Sequence, residues 1–131
     1  PDCAQRGFTD AFTALHVGYC SDKFNITRPH IAAVIDFSGG IGETCGGGSA
    51  IDPGEPPIFI AHGTEDIVVS FTYYALSIVD GATSAGILYE FHPLENHGHS
   101  WLRDRLRENT DEGMRIDDLM YQFLNRVLYN E

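Results

Sequence analysis

The residue types best suited to acid–base chemistry follow two short apolar stretches of the sequence. Residues 58–61 run into a polar segment that contains Asp66, and residues 87–91 are followed by a segment that contains His97 and His99. Apolar runs of this length, bounded by Pro or by polar turns, are typical of strands buried on both faces of a parallel sheet. Since the carboxyl ends of parallel strands meet at one edge of a sheet, we expect Asp66 and His97 to lie close together. An acid followed by a His gives the second and third members of a Ser-Asp-His hydrolase triad.

The motifs around these residues resemble those of a known family. The chain has the sequence His62-Gly63-Thr64-Glu65-Asp66-Ile67-Val68-Val69, and later Glu95-Asn96-His97-Gly98-His99. Residues 57–101 thereby resemble the end of an α/β-hydrolase-fold esterase, near the dienelactone-hydrolase and carboxylesterase branches, with Asn96 at a position where Gly is common. The resemblance implies that Asp66 is the triad acid and His97 the triad base, with His99 as the alternative base.

The same resemblance indicates which residue stands at the nucleophile position. Residues 9–20 carry apolar side chains at helical spacing and are similar to the helix that follows the nucleophile in these esterases. In the family, Gly-x-Ser-x-Gly precedes that helix and exposes the serine on a tight turn. Aligned backward, the pattern falls on residues 6–10, which places Phe8 at the nucleophile position and Arg6 and Asp10 at the two glycines. Because a phenyl ring has no attacking atom, the alignment predicts that this chain lacks a nucleophile.

Other reactive side chains offer alternatives. Ser38 follows an apolar stretch and precedes two glycines, so it is a candidate replacement nucleophile outside any Gly-x-Ser-x-Gly pattern. His92, His97 and His99, with Glu95, also suggest a zinc site. We predict neither a metal nor a cofactor, because the chain has no HExxH pattern and residues 39–55 lack the Gly-x-Gly-x-x-Gly of a phosphate-binding loop.

The elements that would position these residues alternate along the chain. We predict strands at residues 31–38, 58–61 and 87–91, a helix that begins after Ser70 and ends at residues 80–81, and a helix over residues 116–128 with one apolar face. Residues 39–55 are predicted to be a connector. Such alternation indicates an α/β fold with a parallel sheet of about three strands flanked by helices. Through the resemblance this is a partial α/β-hydrolase fold, forming a single, incomplete domain over residues 1–131.

A three-stranded parallel sheet leaves an open edge. The strand at residues 31–38 would present that edge where the family has its nucleophile strand. We therefore expect the chain to pack on other polypeptide, either the missing half of the fold or other copies of itself.

Composition restricts the partners and the compartment. The net charge of −11 argues against nucleic-acid binding, and no apolar run approaches the length of a membrane span. Cys3, Cys20 and Cys45 permit one disulfide, and Asn25 begins an N-glycosylation pattern. We therefore predict an extracellular or secretory location, with the cytoplasm as the alternative.

Two functional hypotheses follow from these observations. The chain is part of a serine ester hydrolase that supplies the triad acid and His for a small ester substrate, with a nucleophile from another segment. Alternatively, it is a catalytically inactive structural or self-assembling subunit of the same ancestry, or a module that binds small ligands.

Overall fold

The structure, a computed structural model, describes residues 31–41, 47–101, 106 and 113–129. Three strands lie in it, β1 (Val34–Phe37), β2 (Ile58–Gly63) and β3 (Tyr89–Leu94). A 3-10 turn (Gly47–Ala50) precedes β2, and a π-helical turn (Phe71–Ala75) leads directly into helix α1 (Leu76–Ala85). Helix α2 (Ile116–Tyr129) follows β3.

The three strands form one parallel sheet in the order β1-β2-β3. Val34 pairs with Ile58, and Ile58 in turn pairs with Tyr89, so the strands run in step. At the other end of the ladder, Gly63 pairs with Leu94, and the segments that carry Asp66 and the histidines leave the sheet there. The predicted parallel sheet of about three strands is confirmed.

Strand β2 is buried on both faces, as its continuous apolar sequence predicts. Residues 58–61 are all 0% exposed. Ile58 and Ile60 belong to a cluster on the α1 face of the sheet, whereas Phe59 and Ala61 pack with α2 on the other face. Helix α2 contributes a spaced apolar stripe, Ile116, Leu119 and Phe123, to that second cluster. Burial of β2 and of this stripe therefore holds the sheet between two helical layers.

Helix α1 runs further than the sequence predicted. Ser70 caps the π-helical turn that leads into it, since the Oγ atom of Ser70 accepts a hydrogen bond from the backbone N–H of Tyr73. The predicted end at residues 80–81 is wrong, because the helix continues to Ala85 and stops at Gly86, which takes a left-handed φ of 69°. Gly81 has a packing role inside the helix: a Cβ atom there would lie 2.1 Å from the carbonyl oxygen of Gly48.

That contact involves the Gly-rich connector predicted over residues 39–55. Part of it, Gly47–Ala50, is a 3-10 turn packed on α1. The backbone N–H of Gly48 donates to the Oγ atom of Ser77 at 2.7 Å, and a Cβ atom on Gly48 would lie 1.8 Å from the Ser77 carbonyl oxygen. The glycines therefore allow two backbones to touch, which is a tertiary role that the local pattern does not contain.

Several predictions lie outside the described residues. They are the helix at residues 9–20, the alignment of Phe8 with the nucleophile, the cysteines Cys3, Cys20 and Cys45, and the glycosylation pattern at Asn25. Within the described ranges, β1 pairs with β2 alone, so its other edge has no partner strand there. No helix in the described part of the chain is long and apolar enough to cross a membrane.

Candidate functional site

Asp66 lies in the turn that follows β2, at the carboxyl edge of the sheet. Its side chain is buried, and its Oδ1 atom accepts hydrogen bonds from the backbone N–H groups of Val68 and Val69, each at 2.9 Å. The backbone N–H of Asp66 donates to the carbonyl oxygen of Gly63 at 3.2 Å, which closes the turn. Two donors on one oxygen fix the carboxylate plane and leave Oδ2 to face the loop after β3.

The imidazole that faces Asp66 belongs to His99. Its Nδ1 atom lies 2.8 Å from the Oδ2 atom of Asp66, across 33 residues of sequence. Because an ionised carboxylate only accepts hydrogen bonds, Nδ1 carries the proton and Nε2 of the neutral ring keeps its lone pair. The His99 side chain is 42% exposed. The pair therefore presents a base with a fixed tautomer at the rim of the sheet.

The ring of His97, the base implied by the sequence motif, makes a different contact. No hydrogen bond or ion pair joins the described residues His97 and Asp66; the Nδ1 atom of His97 instead lies 2.6 Å from the carbonyl oxygen of Glu95. Asn96, the residue before His97, adopts a left-handed φ of 60°. The structure thus brings the segments of Asp66 and His97 together, and the ring that contacts the Asp66 carboxylate is that of His99, the alternative base, two residues further along.

The backbone of His97, rather than its ring, supports the site. Its carbonyl oxygen accepts a hydrogen bond of 2.9 Å from the N–H of Glu65, and the N–H of Asn96 donates to the Oγ1 atom of Thr64 at 3.1 Å. Gly63 allows this approach, since a Cβ atom there would lie 2.2 Å from the His97 carbonyl oxygen. Residues 95–101 form a loop, called the His loop below, that is therefore hydrogen-bonded to the turn that carries Asp66.

His62, at the end of β2, places its buried ring next to Asp66. Its buried Nε2 atom donates to the carbonyl oxygen of Val69 at 2.8 Å and lies 3.3 Å from the Oδ2 atom of Asp66. Burial lowers the pKa of His62, an effect opposed by the Val69 hydrogen bond and by the charge of Asp66. His62 is therefore held neutral at neutral pH, and it shapes the turn as its sequence position indicated.

Ser38, the alternative nucleophile, is hydrogen-bonded to Trp101 rather than to a histidine. It follows β1 with a left-handed φ of 55°, and its Oγ atom accepts a hydrogen bond of 2.6 Å from the indole N–H of Trp101. Neither His97 nor His99 is hydrogen-bonded to Ser38 in the described structure. This geometry lacks the nucleophile–base contact that a serine hydrolase requires.

Asp36 is a buried carboxyl group that the sequence analysis did not single out. It is 1% exposed, and its Oδ1 atom accepts a hydrogen bond of 2.7 Å from the N–H of Gly39. Its Oδ2 atom is buried without a hydrogen-bond partner in the described structure. Burial raises the pKa of Asp36 from 3.8 to about 7, with the Gly39 hydrogen bond opposing the rise. An acidic residue at the centre of an otherwise apolar strand was the available signal.

The histidines do not converge on a metal site in the described residues. The Nε2 atom of His92 lies 3.3 Å from the Oε2 atom of Glu90, and its ring packs on Phe59, away from the His loop. Among the described ranges, no group of three or more His, Cys, Asp and Glu side chains could hold a metal ion.

Comparisons with solved structures place the fold. The carboxylesterase Cest-2923 of Lactobacillus plantarum WCFS1 aligns over 88% of this chain and 53% of its own, with 14% identity and a TM-score of 0.65. Esterase PE8 aligns over 95% of this chain and 54% of its own, with 23% identity and a TM-score of 0.53. The thermophilic esterase Est2 of Thermogutta terrifontis aligns over 61% of this chain and 28% of its own, with 26% identity and a TM-score of 0.48.

Neither a protein-family model nor a curated protein matches the chain. At the identities of the first two structures, the likeness establishes the fold. This chain has part of an α/β-hydrolase fold. It spans about half the length of those two esterases.

Proposed function

We propose that this chain supplies the acid and the base of a serine ester hydrolase. The observation that carries the proposal is the hydrogen bond of 2.8 Å between the Nδ1 atom of His99 and the buried carboxylate of Asp66. An acid after one strand and a His after the next, on an α/β-hydrolase fold, is the order of the second and third triad members. The base in this proposal is His99, and His97 is the alternative that the experiment below distinguishes.

The chemistry would be acyl transfer from a small ester to water. With Nδ1 bonded to Asp66, the Nε2 atom of His99 can take a proton from an attacking hydroxyl group and return it to the leaving alcohol. Asp66 would hold the tautomer and stabilise the imidazolium that forms, without taking the proton itself. Its carboxylate accepts hydrogen bonds from two backbone N–H groups, which fix its orientation towards His99.

The nucleophile would come from another segment. The alignment with Phe8 supports this, and so does the hydrogen bond of Ser38 to Trp101 rather than to a histidine. The unpaired edge of β1 is where that segment would add to the sheet, since a parallel sheet continues by further strands at its edge. We expect the coding sequence upstream of this chain to carry a Gly-x-Ser-x-Gly pattern.

The test is hydrolysis of p-nitrophenyl acetate by the protein together with that upstream segment. His99→Gln should lower kcat by at least about 10³-fold, as removal of a triad base does. The matched control, His97→Gln, changes an imidazole in the same loop and should stay within about threefold of the wild-type rate. Absence of the upstream pattern, absence of hydrolysis, or an equal loss in both variants would each contradict the proposal.

A second candidate function is a non-catalytic subunit that uses the same fold for assembly. It is favoured by the lack, in the described residues, of a hydroxyl group bonded to His99, together with the open edge of β1. It predicts copies of this chain joined through that edge, without any partner chain. Analytical ultracentrifugation distinguishes the two, because a scaffold would self-associate and a half-enzyme would require its partner.

A further inference from the structure

The indole of Trp101 joins the end of the His loop to the end of β1. Its Nε1–H donates to the Oγ atom of Ser38 at 2.6 Å, across 63 residues of sequence. Both side chains are buried, with Trp101 3% and Ser38 5% exposed. A buried hydrogen bond of this length orders both partners, because an unpaired indole N–H in the interior is costly.

Ser38 is held in position to accept this bond. Its backbone N–H donates to the carbonyl oxygen of Ala61 at 2.9 Å, which extends the β1–β2 ladder by one residue. The carboxyl group of Asp36 accepts from the N–H of Gly39 and thereby closes a turn around Ser38, whose φ of 55° is unfavourable for a serine. A strained residue that is fixed on both sides points to a specific role for its side chain.

Trp101 is fixed by packing as well as by this bond. Its ring meets Phe37 edge-on, with centroids 5.7 Å apart, and Phe37 meets Phe59 in the same way at 6.3 Å. Trp101 also belongs to the apolar cluster between the sheet and α2. The indole therefore holds the end of the His loop against the buried core between the sheet and α2.

His99 lies between this contact and a second attachment of the His loop. On one side, the carbonyl oxygen of His97 accepts from Glu65; on the other, two residues beyond His99, Trp101 is bonded to Ser38. His99 itself is partly exposed, and its Nδ1 atom is hydrogen-bonded to Asp66. We propose that the Ser38–Trp101 hydrogen bond is the anchor that keeps the His99 ring in its Nδ1-to-Asp66 geometry, so that Ser38 and Trp101 are positioning residues.

The experiment reads the tautomer of His99 by long-range ¹H–¹⁵N NMR on the neutral ring. Ser38→Gly removes the acceptor and suits the left-handed φ, whereas Trp101→Phe removes the donor and keeps an aromatic ring. The control, Tyr89→Phe, removes a different side chain–side chain hydrogen bond, the 3.0 Å contact with Thr83 on the α1 face. Far-UV circular dichroism establishes that each variant is folded, and either test variant alone is sufficient.

We expect the Nε2–H fraction of His99 to rise about two- to tenfold in Ser38→Gly and Trp101→Phe, the range set by losing one hydrogen bond. Tyr89→Phe should leave it unchanged. An unchanged tautomer in a folded test variant, or an equal change in Tyr89→Phe, would overturn the proposal. The inference does not depend on the proposed function, because the tautomer is measured without catalysis: a protein that hydrolyses no ester still tests the anchor.

Discussion

The buried carboxyl group of Asp36 makes the stability of this fold depend on pH in an unusual direction. Burial raises its pKa from 3.8 to about 7. Between these two values the folded chain keeps the proton and the unfolded chain has lost it. Stability contributed by this group is therefore present at low pH and is lost as the pH rises towards 7, the reverse of the behaviour of a salt-bridged carboxylate.

The size of the effect follows from linkage. Each pH unit well inside this window lowers the free energy of unfolding by about 1.4 kcal/mol, and because the slope falls off near pH 7 the change between pH 5 and pH 7 is about 2 kcal/mol. Asp36→Asn removes the titration while keeping the oxygen that accepts from Gly39. Its buried amide adds a cost of about 1–3 kcal/mol that does not vary with pH. The informative quantity is therefore the difference in stability between variant and wild type as a function of pH.

Urea unfolding, followed by fluorescence of the chain's single tryptophan, measures that difference. We expect Asp36→Asn to gain about 2 kcal/mol relative to the wild type between pH 5 and pH 7, then to level off. The exposed Asp52→Asn exchange controls for the loss of one charge. A difference between Asp36→Asn and wild type that is flat from pH 5 to pH 8 would refute the assignment of a buried, protonated carboxyl group.

Three further predictions concern the turn after β2 and the core. Burial lowers the pKa of His62, so the unfolded chain binds a proton below about pH 6.5 that the folded chain resists. The contribution of His62 to stability should therefore decrease as the pH falls below 6.5, against the opposite contribution of Asp36, and a comparison of His62→Gln with wild type in urea titrations isolates it. Gly63→Ala should lower the thermal midpoint by about 8 °C or more, because the added Cβ atom would lie 2.2 Å from the carbonyl oxygen of His97. In the control Gly98→Ala, the atom nearest to the added Cβ, the carbonyl oxygen of Glu65, is 3.8 Å away, so the midpoint should shift by less than about 3 °C. In urea unfolding, replacing the buried Phe123 with Ala should lower the free energy of unfolding by about 3–5 kcal/mol. Replacing the exposed Tyr121 with Ala should lower it by less than about 1 kcal/mol, and equal losses in the two variants would contradict the packing of α2.

The sequence was sufficient to predict the sheet and the edge at which Asp66 lies. Residues 58–61 form a short, wholly apolar run, and a parallel strand covered on both faces is the arrangement that such a run favours. The position of Asp66 followed directly, because a residue just past a strand lies at the strand's carboxyl edge whatever the rest of the chain does.

The choice between His97 and His99 could not be made in the same way. It depends on the conformation of the His loop, which includes a left-handed turn at Asn96. Asn at a position where the related motif often has Gly was a signal for such a turn, but the direction of the rings depends on contacts with Gly63 and Glu65, some 30 residues away. The error in the end of α1 has a similar cause, because Gly81 has a tertiary contact and is not a helix stop.

The Ser38–Trp101 contact was beyond sequence reasoning for a different reason. Its partners are 63 residues apart, and neither belongs to a motif that predicts the other. Asp36 differs in this respect, because an acidic residue within an apolar strand was a local signal, although its burial depends on the layers packed over β1.

The pairing of Asp66 with His99 is tested most directly by the ring ¹⁵N signals of both histidines in wild type and in Asp66→Asn. Asn at this position would keep its oxygen on the two backbone N–H groups and turn its NH₂ group towards His99, which must then accept. We predict that His99 changes from the Nδ1–H to the Nε2–H tautomer, while His97, bonded to the Glu95 carbonyl, does not change. A tautomer change at His97, or none at His99, would contradict the site described above.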